Sequence, residues 1–252
     1  MNTDSVAKSE MHCLNCGSPV SGRFCQECGQ ASSTERYRFA SLGRELYDQL
    51  RKIDASTTAR TFFSLLRDPG TFVRDYLSGK RVGFLGPIKY FFYSFVVQVL
   101  LGGMVFWLTH DRAFSSSSAI DLRFEIVSLI STVFWGLLWA LFYRRSELNT
   151  VENVVAAIYF VAQVNFVAFF VQLVAFPFAR FATGLRDFLG LLDILITVGY
   201  SFYFARSLFS ERLVLLVPKQ LILTALYVVL LLITLFGDVI LRILTGSVGP
   251  AA

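Results

Sequence analysis

The chain has 252 residues, 55% of them hydrophobic and 15% aromatic, including 26 Phe, and only 16% charged. A mean hydropathy of +0.58 is too apolar for an ordinary soluble domain and predicts an all-α integral membrane protein. The net charge of +5 is compatible with nucleic acid, but Arg74, Lys80, Arg81 and Lys89 cluster just before the first long apolar stretch. Basic residues there hold the cytoplasmic side of a membrane protein against anionic lipid, so a lipid-surface role is expected and nucleic-acid binding is not.

Residues 1–11 are polar and lack the apolar core of a secretory signal, which predicts a cytoplasmic N-terminus. Then "HCLNCGSPVSGRFCQECGQ" contains all four cysteines. Cys13, Cys16, Cys25 and Cys28 form two C-x-x-C-G knuckles. Two intervening residues let both thiolates of a pair reach one ion, and Gly17 and Gly29 let the backbone turn around the sulfurs. Four thiolates close a tetrahedral site, so a zinc ion here is structural, one per chain, and supplies the stability that so short a segment cannot draw from apolar burial. A rubredoxin-type iron centre uses similar ligands. Paired disulfides are disfavoured by a reducing cytoplasm. Pro19 to Gly22 is expected to form the hairpin tip, and His12 to be a bystander.

These features divide the chain into a tail and four-cysteine ribbon at 1–34, a helical connector at 35–87, and a membrane domain at 88–252. In the connector Phe39, Leu42, Leu46, Leu50 and Ile53 recur at helical spacing, with charges mostly on the other side. A second helix is expected near 58–67, and a third opened by Pro69 and closed by Gly79. All three are too short to span, and their Arg-rich polar faces favour amphipathic, interfacial helices on the membrane surface, with packing against the spans or a partner as the alternative.

Five apolar stretches follow, at about 88–108, 124–143, 154–178, 188–209 and 213–241, each near the 20 residues a bilayer requires. Five spans put the two termini on opposite sides, so the C-terminus is expected outside, in the periplasm or extracellular space. The linker charges do not decide the orientation: Arg144, Arg145, Arg206, Arg212 and Lys219 on one side balance Arg112, Arg123, Arg180, Arg186 and Arg242 on the other. The ribbon and the basic cluster carry it.

Polar groups within the stretches are few. Asn165 and Gln172 share a face of the third, with Gln163 nearly opposite. Asp193, Thr197, Tyr200 and Ser201 form a stripe on the fourth, and Thr224, Tyr227, Thr234, Asp238 and Arg242 one on the fifth. They are read as interhelical hydrogen bonds and interface charges, with a polar path for an ion or small solute between the last two spans as the alternative. Trp107, Trp135 and Trp139 are assigned to interface belts and lipid-facing packing.

Two histidines and the absence of a nucleophile elbow, a Walker loop or a dinucleotide fingerprint argue against an enzyme. The run "CLNCGSPVSGRFCQECGQ", followed by "RDPGTFVRDYLSGKR" and "PIKYFFYSF", resembles the bacterial multi-pass membrane proteins catalogued as domain of unknown function 3667. In that family a cytoplasmic zinc ribbon leads into several membrane helices. The resemblance implies zinc at the cysteines and a structural or functional unit at Pro69, Gly70, Tyr76, Gly79, Lys80 and Arg81, but no activity. The resulting expectation is an inner-membrane protein whose ribbon docks a cytoplasmic protein partner, with the spans as anchor. Transport, or lipid handling through Lys80 and Arg81, are the alternatives.

Overall fold

In the computed structural model the backbone is described for residues 11–32, 55–109, 122–175 and 185–244, and side chains for 11–32, 56–100, 130–175, 192 and 194–229. Strand β1 (Met11–His12) pairs antiparallel with β2 (Pro19–Val20), Met11 opposite Val20 and His12 opposite Pro19. Pro19 and Val20 are therefore strand and not the hairpin tip, and the first knuckle is itself the connection between the strands. The predicted 39–53 helix lies outside the described residues.

Helix α1 (Ala55–Arg67) is followed after one residue by α2 (Pro69–Ser78). Pro69 suits the first turn, where its missing N–H has no helical partner, and the Asp68 carboxylate caps the helix by accepting from the Thr71 amide. Gly79 ends it with φ of 114°, a conformation open to glycine. The Lys80 amide then donates back to the Asp75 carbonyl at 2.9 Å, as in a Schellman closure.

Each apolar stretch is helical: α3 (Pro87–Thr109), α4 (Leu122–Phe142), α5 (Thr150–Ala175), α6 (Leu185–Phe209) and α7 (Leu213–Leu244). α3 runs unbroken through Gly102 and Gly103. α5 starts from a capping box: the Asn149 side chain accepts from the Glu152 amide at 2.9 Å and the Glu152 carboxylate from the Asn149 amide at 2.8 Å. Among the described residues α5 alone is both long and apolar enough to cross a membrane. It is also the centre of the bundle, packing against α1, α3, α4 and α6, while α7 closes on α4 and α6. Gly136 allows a close approach of α4 to α5, since a Cβ there would lie 2.6 Å from the Val154 Cα.

The connector departs from its expected surface position. α1 packs on α2 and α5, and α2 on α6. Leu65, Phe72, Val73, Tyr76 and Leu77 are buried in the same core as the long helices. The sequence shows an amphipathic face but not what covers it; here protein covers it. Trp135 and Trp139 also depart from the expected belts. Both are buried, Trp135 stacked on Phe160 at 5.6 Å and Trp139 on Phe204 at 5.3 Å. Trp107 lies outside the described side chains.

Candidate metal centre and its anchorage

The two knuckles are near copies of one another. In each, the first cysteine accepts from the amide of the glycine four residues on, Gly17 to Cys13 at 2.8 Å and Gly29 to Cys25 at 2.9 Å. The amides of Cys13 and Cys25 in turn donate to the carbonyls of Ser18 and Gln30. Gly17 and Gly29 adopt φ of 77° and 75°, a left-handed turn that a Cβ would strain. This geometry converges all four sulfurs within 4.8 Å of one another. Cys13 Sγ lies 3.6 Å from Cys28 Sγ and Cys16 Sγ 3.5 Å from Cys25 Sγ. Sulfurs around a tetrahedral ion with bonds of about 2.3 Å sit roughly 3.8 Å apart, so the donor set fits a single metal ion.

Three of the thiols differ in their protonation equilibria. The Ser18 hydroxyl and backbone beside Cys16 hold its thiol down at about 6. The backbone of Cys16 and Asn15 lowers Cys13. At Cys28 a backbone bond at Gln30 pulls downward, but burial and the three other thiols outweigh it and push the thiol to about 11. His12 lies in β1, exposed, outside the cluster.

Gln30, one residue past the second knuckle, anchors this module to the helices. Its side-chain amide donates to the Gly79 carbonyl at 2.7 Å and its side-chain oxygen accepts from the Arg81 amide at 3.4 Å. It is 7% exposed. Leu14 fills the space above Gly79, where a Cβ would lie 2.7 Å from its Cδ1. Sequence reading missed Gln30, because nothing local distinguishes it from a solvated glutamine after a zinc knuckle.

The connector is pinned below by groups from α5 and α6. Ser207 on α6 accepts from the Gly70 amide at 2.9 Å and donates to the Asp68 carboxylate. A Cβ on Gly70 would stand 2.1 Å from the Ser207 backbone, so the Pro-Gly step is a close crossing of α2 over the end of α6. Arg74 donates to the Ser207 and Leu208 carbonyls at 2.8 and 2.7 Å, satisfying the terminal carbonyls of α6. Tyr200 donates to the Leu65 carbonyl at 2.9 Å, Tyr159 to the Leu85 carbonyl at 2.6 Å, and Tyr203 to the Arg67 carbonyl. Fully buried Gln163 accepts from Tyr90 at 2.5 Å and donates to the Phe62 carbonyl at 3.3 Å, tying α3, α5 and α1 together.

Of the basic residues predicted to face lipid headgroups, Arg74 is exposed but engaged at the end of α6. Lys80 pairs with Asp75 at 2.9 Å. Arg81 lies over the Tyr76 ring. Lys89 is 6% exposed, over the Tyr93 ring at the start of α3. Among the intramembrane polar residues, the Asn165 side chain reaches Ser94 at 3.5 Å and its carbonyl accepts from Gln98 at 2.7 Å. The Gln172 side chain is half-buried and makes no hydrogen bond among the described residues. Thr197 is half-buried on α6, three residues before Tyr200. The side chains of Asp193, Asp238 and Arg242 lie outside the described residues.

Together these features define a predominantly helical protein with, among the described residues, one membrane-capable helix and a four-thiol cluster suited to a metal ion, clamped onto a helical connector. A family model described as Protein of unknown function (DUF3667) matches residues 57–99, from α1 through α2 into α3. The family is thus the one that the sequence motifs resemble, and the match covers the Pro-Gly crossing, Tyr76, Gly79, Lys80 and Arg81. Comparison with curated proteins and with solved structures returns no match.

Proposed function

We propose that this is a multi-pass protein of the bacterial inner membrane, with α3 to α7 as five spans, the ribbon cytoplasmic and the C-terminus outside. In this reading the ribbon holds one structural zinc and presents a small rigid surface to a cytoplasmic protein partner. The protein is a docking platform, not an enzyme. The spans are supported by the outward faces of the bundle, where Leu100, Val174 and Leu195 are 67%, 70% and 68% exposed and Val214 83%. An apolar surface of this kind aggregates in water and is matched to its surroundings in lipid.

The observation that carries the docking reading is the two-sided character of the ribbon. Gln30 and Leu14 lock one side onto Gly79, while Phe24 and Met11, 62% and 60% exposed, stand on the module unburied. A rigidly mounted aromatic and a flexible thioether are the side-chain types enriched at the cores of protein interfaces. The test is native co-purification from membranes of wild type, Cys25→Ser and Phe24→Ser, with bound metal assayed in each. One zinc per chain in wild type and in Phe24→Ser, with a partner lost from both variants, supports docking through the exposed face. A partner retained by both would overturn it.

A further inference from the structure

Of the six buried side-chain polar atoms without a hydrogen-bond partner among the described residues, four lie on just two helices: the indole Nε1 atoms of Trp135 and Trp139 on α4, and Gln220 Oε1 and Thr224 Oγ1 on α7. Trp135, Trp139 and Gln220 are 3%, 0% and 0% exposed. The two tryptophans stand one turn apart on α4, and Gln220 and Thr224 one turn apart on α7, so each pair shares a face. Two contacts fix how these faces meet. The Gln220 side-chain amide donates to the hydroxyl of Tyr143, the residue after α4, at 2.9 Å. One end of the register is set there, and the Trp135 ring against the Tyr227 ring at 5.1 Å sets the other. The helices therefore run antiparallel, and Trp139, midway between the two contacts, falls at the level of Leu223 and Thr224. A row of N–H donors on α4 accompanies a row of oxygens on α7.

Burying a polar group without a partner is destabilising, and more so where hydrocarbon surrounds the bundle. The four groups here are complementary in kind. The indoles only donate, Gln220 Oε1 only accepts, and the Thr224 hydroxyl does either. A molecule that accepts from the indoles and donates to the oxygens completes the set. None of the four is charged, and nearby Lys219, over the Tyr143 ring, is already paired with Glu211 at 2.6 Å. Two neutral oxygens are too few to hold a hard cation, which takes six or more. The four atoms have almost no accessible surface, so whatever reaches them is small. We infer that the α4–α7 seam is an internal water-binding site, with water bridging the indole N–H groups of Trp135 and Trp139 to Gln220 and Thr224. Buried waters typically make about three hydrogen bonds to groups of this kind. The site adds a polar bridge between two helices of the bundle and does not depend on the docking reading of the ribbon.

The test is water–protein nuclear Overhauser spectroscopy on the full-length, deuterated protein in detergent, with isotope-labelled tryptophan and with Trp107→Phe and Trp135→Phe to assign the three indole signals. Wild type gives cross-peaks from water to the indole protons of both Trp135 and Trp139, with the sign of a long-lived contact. They persist in Thr224→Val, which removes a hydroxyl proton able to relay them. The same substitution lowers the thermal midpoint by about 2–4 °C, because the bridging water loses a partner. A dry seam gives the reverse: no water cross-peak at either indole, and a midpoint raised by Thr224→Val, since valine removes an unpaired hydroxyl. Either of those results overturns the proposal, as do cross-peaks to detergent chains in place of water. The wild-type spectrum decides the question by itself if Thr224→Val does not fold.

Discussion

Gly70 and Gln30 illustrate how much of this molecule depends on single contacts between distant parts of the chain. Gly70 is needed for space, since any Cβ meets the Ser207 backbone at 2.1 Å. Gly70→Ala is expected to destabilise the protein by about 1–3 kcal/mol, as overpacking does, and to lower its thermal midpoint in detergent. Gln30→Ala removes both bonds to the Gly79–Arg81 backbone but no metal ligand. Bound metal should stay constant while hydrogen exchange at Lys80 and Arg81 rises; unchanged exchange would mean the ribbon is held by other contacts. Asp68 adds a pH dependence. The Ser207 hydroxyl first, and Thr71 second, hold its carboxyl below the usual range. Its contribution is therefore present above the unfolded value of about 4 and lost as pH falls through the lower folded value. Asp68→Asn should flatten the acid limb of the stability curve below pH about 4.

At the scale of elements, the connector and α5 carry the structure. A helix over most of α1 was expected, and the apolar face of α2 was legible from the spacing of Phe72, Val73, Tyr76 and Leu77. Their destination was not, because a membrane surface and a protein groove demand the same apolar face. The hydroxyls of Tyr159, Tyr200 and Tyr203 and the amide of Gln163 make the difference, since each meets a backbone carbonyl of the α1–α3 segment. Gln163→Leu leaves the Tyr90 hydroxyl and the Phe62 carbonyl without this partner in a buried site and should cost about 1–3 kcal/mol. Asn149→Ala removes the cap of α5 and should cost about 1 kcal/mol, visible as earlier fraying of that helix in hydrogen exchange.

For the whole molecule, the decisive division is between a ribbon organised by four sulfurs and a bundle organised by apolar packing. The two are joined through Gln30, Leu14 and Gly79. Chelation, or Cys25→Ser, is expected to unfold the ribbon while the bundle keeps its helical signal, because no thiol contributes to the buried core of α1 to α7. Far-ultraviolet circular dichroism with parallel metal analysis checks this, and collapse of helix content on chelation would show that the ribbon supports the bundle.

The sequence by itself determined the four-thiol set, the helical character of the five apolar stretches, the opening of α2 by Pro69 and its closure by Gly79, and the resemblance to the DUF3667 family. These are local properties: ligand spacing, hydropathy, and turn chemistry act within a few residues. Only the tertiary structure decided that the connector is buried against α5 and α6, that Lys89, Trp135 and Trp139 turn inward, that Gln30 is a clamp, and that Gln220 and Thr224 lie along the tryptophans of α4. Each of these depends on which element covers a face, and periodicity defines the face while leaving its partner open. Packing selects the partner through close approaches such as Gly70 over Ser207 and Gly136 over Val154, between positions that no local pattern connects.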